Sequence, residues 1–308
     1  MSVPEHRAGG LDRPLLTEED FLLATKAAST HAEYAKDLKY FTAAGGCIPA
    51  TVDQIVAYVT RMAVSLKVAT ISKRLVSLHV AHVEQGYPSP VHDPRIKLLM
   101  QGVRRQLGVS QRRVAAIEKS VLLDLWSAAS KGRPVQAARN IALISWSWSG
   151  AFRRSEIVSL KWESVVFLES GAEATLLTSK VDQTGKGFVK FIPVAYGDRC
   201  PVKALKHWQE VCGNTTGFIF RPVNRHDQIV DRPLSPHAVA QIVKRIIKLT
   251  GRDPDLYSGH SLRSGFVTAG VLANVPSHVL MQVTGHKSEA TLQKYVRIGK
   301  RRQIPSLL

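Results

Sequence analysis

Apolar residues recur at three- and four-residue intervals from Thr17 to Gly108, and this helical spacing constrains the fold more than any other feature. Glycine and proline interrupt the pattern at Gly45-Gly46 and at Gly86-Tyr87-Pro88. Asp93-Pro94 then offers a favourable entry to another helix, because proline is well tolerated in the first helical turn. The pattern predicts four or five short helices packed as a small bundle.

The second half of the chain alternates helical and strand-like segments. Apolar alternation at Ala174–Ser179 and Gly187–Val194, around a glycine-containing turn, predicts a β-hairpin. Helical periodicity marks the remaining segments, which are Ser120–Ser130, Val135–Trp148, Ser155–Lys161, Pro236–Leu249, His260–Ala273, Pro276–Val283 and Glu289–Ile298. The predicted fold class is therefore mainly α with a small β-hairpin or sheet.

The length of 308 residues favours two domains, because single cores rarely grow that large. We expect a flexible N-terminus over residues 1–14, a helical domain over 15–108, a basic linker over 109–117 and an α+β domain over 118–308.

Positive charge predicts a polyanionic partner. The chain has 42 lysines and arginines against 24 acidic residues, a formal net charge of +18, and nucleic acid is the commonest partner of such a chain. The stretch from Pro94 to Ile117 contains no acidic residue, so it could follow a phosphate backbone or form a solvated basic face. The predicted DNA-binding residues are Lys73, Arg74, Arg104, Arg105, Arg112 and Arg113.

Several classes of protein are disfavoured. No apolar run reaches the roughly 20 residues of a membrane span, and the N-terminus is polar, unlike a signal peptide. The three cysteines form no C-x-x-C pair, which is typical of reduced thiols inside the cell. No histidine, cysteine or carboxylate cluster has metal-ligand spacing, so we expect no metal, no membrane association and a cytoplasmic location.

A small set of motifs bears the chemistry. His260-Ser261-Leu262-Arg263 would place an imidazole and a guanidinium on one face of a helix start, where backbone amides favour phosphate. Gly285-His286 follows a helix, and Tyr295 lies nine residues after that histidine. An arginine pair, Arg153-Arg154, precedes Ser155-Glu156 far upstream. Each motif alone has an ordinary structural explanation, and only their joint occurrence points to phosphodiester chemistry.

In this order and spacing the motifs resemble those of the tyrosine recombinase (phage integrase) family. Ala151-Phe152-Arg153-Arg154-Ser155-Glu156 matches the family's A-x-R-x-S/A-E, and the H-x-L-R, G-H and tyrosine motifs match at the positions given above. The family also has a lysine on a β-hairpin, for which Lys180 is the candidate and Lys186 the competitor. The N-terminal half resembles the core-binding domain of Cre-like members, at Pro49-Ala50 before a helix, at Lys67–Ile71 and at Gly86–Pro88.

The resemblance implies a site-specific recombinase that clamps duplex DNA between two domains. Active members work as tetramers on two paired sites and proceed through a 3′-phosphotyrosyl intermediate, with no cofactor, metal or ATP. The implied roles are phosphate binding by two arginines, proton transfer by a histidine and a lysine, hydrogen-bond donation to the phosphate by a second histidine, and attack by tyrosine. In that order the residues are Arg153, Arg263, His260, Lys180, His286 and Tyr295. Arg154 leaves open which neighbouring guanidinium faces the phosphate.

Two alternatives remain at this stage. A type IB topoisomerase-like relaxase or a telomere resolvase would use the same chemistry, whereas an architectural or regulatory DNA-binding protein would bind without cleaving. In a bacterium the recombinase would be associated with the nucleoid.

Overall fold

The computed structural model describes residues 28–108, 114–176, 187–286, 288–290 and 292. The chain divides into two compact units, Met1–Arg112 and Arg113–Leu308. Within the described residues, none of the helices combines the length and the apolar character needed to cross a membrane.

The described part of the first unit is helical, as the apolar spacing predicted. Its α-helices are α1 (Ala28–Ala43), α2 (Val52–Ala63), α3 (Val68–Glu84) and α4 (Pro94–Leu107). Thr51 and Gln54 form a reciprocal capping box that fixes the start of α2. The Asp93 carboxylate accepts from the Arg95 amide at 2.8 Å, and Pro94 occupies the first turn of α4. These local signals set the helix ends.

The core of the first unit is a single apolar cluster contributed by all four helices. Phe41 and Tyr58 meet edge to face with ring centroids 5.0 Å apart. Ile55, Ile71 and Leu78 are completely buried around them. Packing of these amphipathic faces, more than helix propensity, stabilises the bundle.

The second unit combines seven described α-helices with a small sheet. The helices are α5 (Lys119–Ala129), α6 (Pro134–Ser149), α7 (Arg154–Ser159), α8 (Pro201–Cys212), α9 (Pro236–Leu249), α10 (His260–Leu272) and α11 (Ser277–Thr284). Helix α8 was not predicted. The sequence expectation for Glu289–Ile298 lies mostly outside the described residues.

The predicted hairpin is part of a three-stranded antiparallel sheet in the order β1-β2-β3, with β1 (Val165–Phe167), β2 (Gly171–Leu176) and β3 (Phe188–Pro193). Strand β1 was missed by the sequence analysis because three residues give too little alternation to detect. Ala174 of β2 pairs with Val165 on one side and Lys190 on the other. Lys190 is therefore in the middle of the sheet's edge strand, on its buried face.

Helix α6 forms the centre of the second unit's core and packs against α8. Trp146 is completely buried, stacks on Phe152 at 6.2 Å and donates its indole N–H to the Pro201 carbonyl at 2.8 Å. The Trp208 indole donates to Ile219 in the same way. These buried indoles, with their N–H groups satisfied, hold α6 against the start of α8 and α8 against the segment at Ile219.

The segment before α5 fixes the start of α10. Ala115 donates to the Leu256 carbonyl at 2.7 Å, and Ile117, which is completely buried, donates to the Ser261 carbonyl at 2.9 Å. Ala115 and Ile117, at the end of the expected linker, are thus hydrogen-bonded to the segment around the start of α10. A Cβ at Gly265 would lie 1.9 Å from the Ile117 carbonyl oxygen, so only glycine permits this approach.

Candidate active site

Arg153 follows a tight turn at the end of α6. Ala151 has φ +46°, a left-handed conformation that is uncommon for a residue with a Cβ. A Cβ on Gly150 would lie 2.2 Å from the Phe152 ring, so the turn requires glycine at that position. Such backbone strain persists only where surrounding contacts hold it.

Arg153 caps α7 and is anchored by a buried carboxylate. Its amide donates to Glu156 Oε2 at 2.9 Å, and its guanidinium forms an ion pair with the other oxygen of the same carboxylate. A second guanidinium nitrogen reaches the Gly285 carbonyl at 3.5 Å. The Arg153 side chain remains 24% exposed, whereas Arg154 beside it lies across Gly259. This geometry favours Arg153 as the arginine that joins the other predicted groups.

Arg263 lies in the first turn of α10 and is 1% exposed. Its two terminal nitrogens donate to the Ala151 carbonyl at 2.7 Å and the Thr284 carbonyl at 2.6 Å. It also approaches His286 Nε2 at 3.3 Å. Arg263 therefore connects three segments that are distant in sequence.

His286 follows Gly285, which ends α11 in the left-handed conformation. Its Nδ1 lies 2.8 Å from Thr284 Oγ1, which itself donates to the Leu280 carbonyl at 2.6 Å. A neutral ring that donates from Nδ1 and accepts at Nε2 satisfies both contacts. Desolvation, followed by the positive charges of Arg263 and Arg153, lowers the pKa of His286 to about 4. In this structure the Nε2 faces Arg263 as an acceptor.

His260 is the first residue of α10, and part of its side chain is exposed. Its amide donates to Ser258 Oγ at 3.1 Å, and Ser261 Oγ accepts from the Ser258 amide at 3.0 Å, so two serines fix this helix start. Desolvation of the ring's covered side, and then the charges of Arg263, Arg154 and Arg153, lower its pKa. The ring is therefore disposed to remain neutral and able to accept a proton at neutral pH.

The described members of the predicted set thus meet at one place: Arg153, His260, Arg263 and His286. Lys180, its competitor Lys186 and Tyr295 lie outside the described residues. Among the described residues, no group of three or more His, Cys, Asp or Glu side chains could hold a metal ion. Two guanidinium groups near two imidazoles can bind the oxygens of a phosphate and stabilise added negative charge.

Lys190 is a feature of the site that the sequence analysis missed. It is 1% exposed, and the burial of its ammonium group lowers its pKa to about 7. Glu156 opposes this shift, whereas Arg263 and Arg153 add to it. The sequence does indicate that Lys190 is buried. It lies two residues before the apolar Ile192 on β3, and alternate residues of a strand face the same side of the sheet.

The predicted DNA-binding residues of the first unit differ in their surroundings. Lys73 Nζ lies 3.2 Å from Glu33 and 3.5 Å from the buried Asp37. Arg74 contacts Asp37 at 3.8 Å and stacks on the Tyr40 ring at 4.2 Å. Arg104 and Arg105, in contrast, are exposed in the last turn of α4.

The other two predicted DNA-binding residues, Arg112 and Arg113, lie outside the described residues.

Comparison with known proteins identifies the family. The model of the phage integrase family matches residues 116–302. An integrase/recombinase XerD homologue from Selenomonas ruminantium is 32% identical over 97% of this chain and 90% of its own length.

Solved structures share the fold. The XerH recombinase bound to palindromic difH substrate, in a post-cleavage complex, has a TM-score of 0.63 at 17% identity and covers 89% of this chain and 77% of its own. A lambda integrase (75-356) dimer bound to a COC′ core site has a TM-score of 0.62 at 18% identity, over 94% of this chain and 95% of its own. The motif-based family prediction is confirmed: the chain belongs to the phage integrase family of tyrosine recombinases.

Proposed function

We propose that this protein is a site-specific DNA recombinase that cuts and rejoins DNA strands through a covalent 3′-phosphotyrosyl intermediate on Tyr295. The observation that supports this most is the convergence of Arg153, Arg263, His260 and His286, which come from three separate segments of a chain in this family. A site built only for stability would not bring two guanidinium groups and the Lys190 ammonium close enough to interact electrostatically, since like charges repel.

The proposed reaction is a transesterification. The Tyr295 hydroxyl oxygen attacks the scissile phosphorus, a new O–P bond forms, and the bond to the 5′ oxygen breaks. His260 takes the phenolic proton, because tyrosine with an ordinary pKa of about 10 is a poor nucleophile while protonated. Lys180 gives a proton to the departing 5′ oxygen. The 5′ hydroxyl of another strand then attacks the phosphotyrosine, and the same steps run in reverse.

The cations lower the barrier by stabilising charge that grows as the reaction proceeds. The pentacoordinate phosphorane has more negative charge on its nonbridging oxygens than the starting diester, so Arg153 and Arg263 bind it more strongly. His286 is proposed as a further donor. An approaching phosphate would raise its pKa and favour an Nε2–H directed at the oxygen. Because the phosphodiester bond is exchanged rather than hydrolysed, resealing requires no ATP.

Duplex DNA is the proposed substrate, and the active assembly is proposed to be a tetramer on two paired sites. The XerH structure is a complex with palindromic difH substrate, one lambda integrase structure is bound to DNA, and another is a dimer on a core site. The net charge of +18 agrees with a DNA partner. The protein would act where the DNA is, in the cytoplasm and, in a bacterium, at the nucleoid.

The proposal can be tested by capturing the covalent intermediate. Purified protein is incubated with a library of nicked suicide duplexes made from genomic DNA, in which the short strand diffuses away after cleavage and prevents resealing. Covalent complexes are isolated under denaturing conditions and their DNA is sequenced. We expect a single class of site with protein joined to the 3′ phosphate.

Tyr295→Phe is the matched control because it removes only the nucleophilic oxygen. The variant should bind the captured duplex almost as tightly as the wild type, since phosphate contacts supply most of the affinity, but form no adduct. Binding by the wild type without any adduct would contradict the proposal and favour a non-cleaving DNA-binding protein. An adduct with Tyr295→Phe would assign the nucleophile elsewhere.

A further inference from the structure

Lys190 bridges two segments of the second unit, the turn after α6 and the end of α11, which both lead into the candidate site. Its Nζ donates to the Gly150 carbonyl at 2.8 Å and to the Val283 carbonyl at 2.6 Å. The ammonium group also lies 5.0 Å from the centroid of the Phe152 ring and 5.3 Å from that of Phe188. Two carbonyl oxygens and two aromatic faces are all favourable surroundings for a cation.

Arg263 makes the same kind of bridge one residue further along each segment. Lys190 joins Gly150 to Val283, and Arg263 joins Ala151 to Thr284. The two cations thus bind consecutive carbonyls on both segments. Either bond pair alone would fix one point of contact, whereas two in succession also fix the relative orientation of the segments.

Each bridged segment leads directly into a predicted active-site residue. The turn at Gly150 and Ala151 comes immediately before Phe152 and Arg153, and the end of α11 comes immediately before Gly285 and His286. The turn is strained, with φ +46° at Ala151, so its shape depends on contacts made from outside. Lys190 supplies such contacts from β3, opposite the small side chain of Ala174.

We infer that Lys190 is a positioning residue for strand cleavage, which holds the Gly150–Ala151 turn against the end of α11 so that Arg153 and His286 face one phosphate together. This inference rests on the proposed function and extends it to a residue outside the family motifs quoted above. A displacement of about 1 Å in groups that contact the reacting centre can reduce a rate by about 10²-fold.

The surroundings of Lys190 suit positioning better than proton donation to DNA. The Lys190 ammonium has three N–H groups and directs two of them at carbonyls. The Arg263 guanidinium has five, so donating to its own two carbonyls does not use up the N–H groups with which it can bind a phosphate. The pKa of Lys190, about 7, means that both protonation states exist near neutral pH. A neutral amine still has two N–H groups, one for each carbonyl, so the bridge persists in either state.

The test compares Lys190→Met with wild type on the duplex that wild-type protein captures. Methionine keeps the length and apolar packing of lysine but donates no hydrogen bond. At saturating protein, single-turnover cleavage should slow by about 10-fold to 10²-fold. Half-site affinity should change by no more than about 2-fold, because the Lys190 ammonium is directed at two carbonyls and phosphate contacts made elsewhere supply the affinity. Lys206→Met, which removes an exposed lysine over the Phe167 ring, is the matched control and should cleave like wild type.

A second substrate separates positioning from acid catalysis. It has sulfur in place of the 5′ bridging oxygen, so its leaving group needs no proton. Lys180→Ala should recover on this substrate, whereas Lys190→Met should remain slow. Recovery of Lys190→Met would overturn the inference by making Lys190 the proton donor, and an undiminished rate on ordinary DNA would overturn it by making Lys190 dispensable.

Folding and the proposed function are controlled separately. If Lys190→Met does not fold, as judged by its melting transition, Lys190→Gln takes its place. The glutamine amide ends one bond short of the lysine nitrogen, so its planar N–H groups cannot reach both carbonyls. Lys190→Gln should also cleave more slowly than wild type with unchanged DNA affinity, and its rate should not recover on the substrate with the 5′ bridging sulfur. A wild-type rate on ordinary DNA, or recovery on the sulfur substrate, would count against the inference. A failure of the proposed function would look different, because wild type and Lys206→Met would then form no adduct. Slow cleavage confined to the Lys190 variants is the result that supports the role of Lys190.

Discussion

At the residue scale, the two predicted phosphate-binding arginines differ in how they are held. Arg263 is almost completely buried and bridges two backbone carbonyls, so it contributes to the fold as well as to the site. Arg153 is partly exposed, and its main partner is the buried Glu156 carboxylate. Removing Arg153 therefore leaves a buried negative charge without its cation, which is unfavourable in its own right.

This arrangement allows the catalytic and structural effects of Arg153 to be separated. Arg153→Ala should slow cleavage by about 10²-fold or more, the usual effect of removing one transition-state donor, and should also lower the melting temperature. Adding Glu156→Gln should restore much of the stability, because the unpaired charge disappears, but should not restore cleavage. Melting curves and single-turnover cleavage of both variants test this; recovery of cleavage in the double variant would show that Arg153 acts mainly by neutralising Glu156.

The neutral histidines predict a pH dependence in the DNA-free protein. Since the folded-state pKa of His286 is about 4, below its ordinary value of 6.5, the unfolded chain binds the proton more readily. The stability contributed by the neutral ring is complete above about pH 6.5 and is lost as the pH falls toward 4. His286→Asn should therefore lose less stability than wild type between pH 7 and 4.5 in urea unfolding, and parallel losses would contradict the lowered pKa.

At the element scale, the sequence predicted helix ends best where the cap is local. Asp93-Pro94 and Ser235-Pro236 contain both the side-chain acceptor and the proline of the first turn, and α4 and α9 begin at those prolines. Strand β1 was missed because its three residues are defined by pairing with β2. Lys190 was missed for a related reason. The strand alternation places it on the buried face, but its partners are the carbonyls of Gly150, just after α6, and of Val283 in α11, which no local pattern encodes.

Lys73 and Arg74, predicted to bind DNA, also have partners that the local sequence does not encode. The structure shows both beside Asp37, which is 4% exposed and also accepts from Ser77 Oγ at 2.9 Å. This cluster joins α1 to α3. The DNA-binding role of these two residues remains a prediction, and part of their charge is compensated within the protein.

Asp37 is accordingly predicted to stabilise the first unit. Asp37→Ala should reduce the free energy of unfolding by roughly 1–3 kcal/mol, because it removes the carboxylate that accepts from the Ser77 hydroxyl and that balances the charge of the largely buried Arg74. Glu33→Ala is the matched control, since it removes the exposed partner of Lys73 and should change stability by at most about 0.5 kcal/mol. Urea unfolding, with hydrogen exchange to resolve the amides of α1 and α3, measures both; equal effects would mean that Asp37 is not structural.

At the scale of the whole molecule, the 42 lysines and arginines are divided between those that pair with the 24 acidic residues and those that remain for DNA binding. Lys73 and Arg74 are near carboxylates, whereas Arg104 and Arg105 are exposed at the end of α4. Phosphate binding releases condensed counterions in proportion to the number of phosphates neutralised. The exposed arginines are therefore expected to contribute more to the salt dependence than the paired residues.

The salt dependence of DNA binding measures this division directly. If on the order of ten phosphates are neutralised, log K against log [salt] should have a slope of about −9, and a slope near about −2 would mean that most of the charge is not engaged. Reversing the charge of Arg104, Arg105, Arg112 and Arg113 to glutamate should reduce the steepness by about 3.6, which corresponds to four lost contacts. Because Arg104 and Arg105 are exposed, this change should leave the fold intact.

The matched control reverses four exposed lysines of the second unit that were not predicted to contact DNA: Lys131, Lys203, Lys206 and Lys248. Both variants lose the same net charge, so a general electrostatic attraction would flatten the two slopes equally. Discrete phosphate contacts would flatten only the arginine variant, since counterion release depends on where the cation lies and not on the total charge. Equal slopes for the two variants would therefore exclude the arginine stretch as a specific DNA contact, while a difference between them would assign it one.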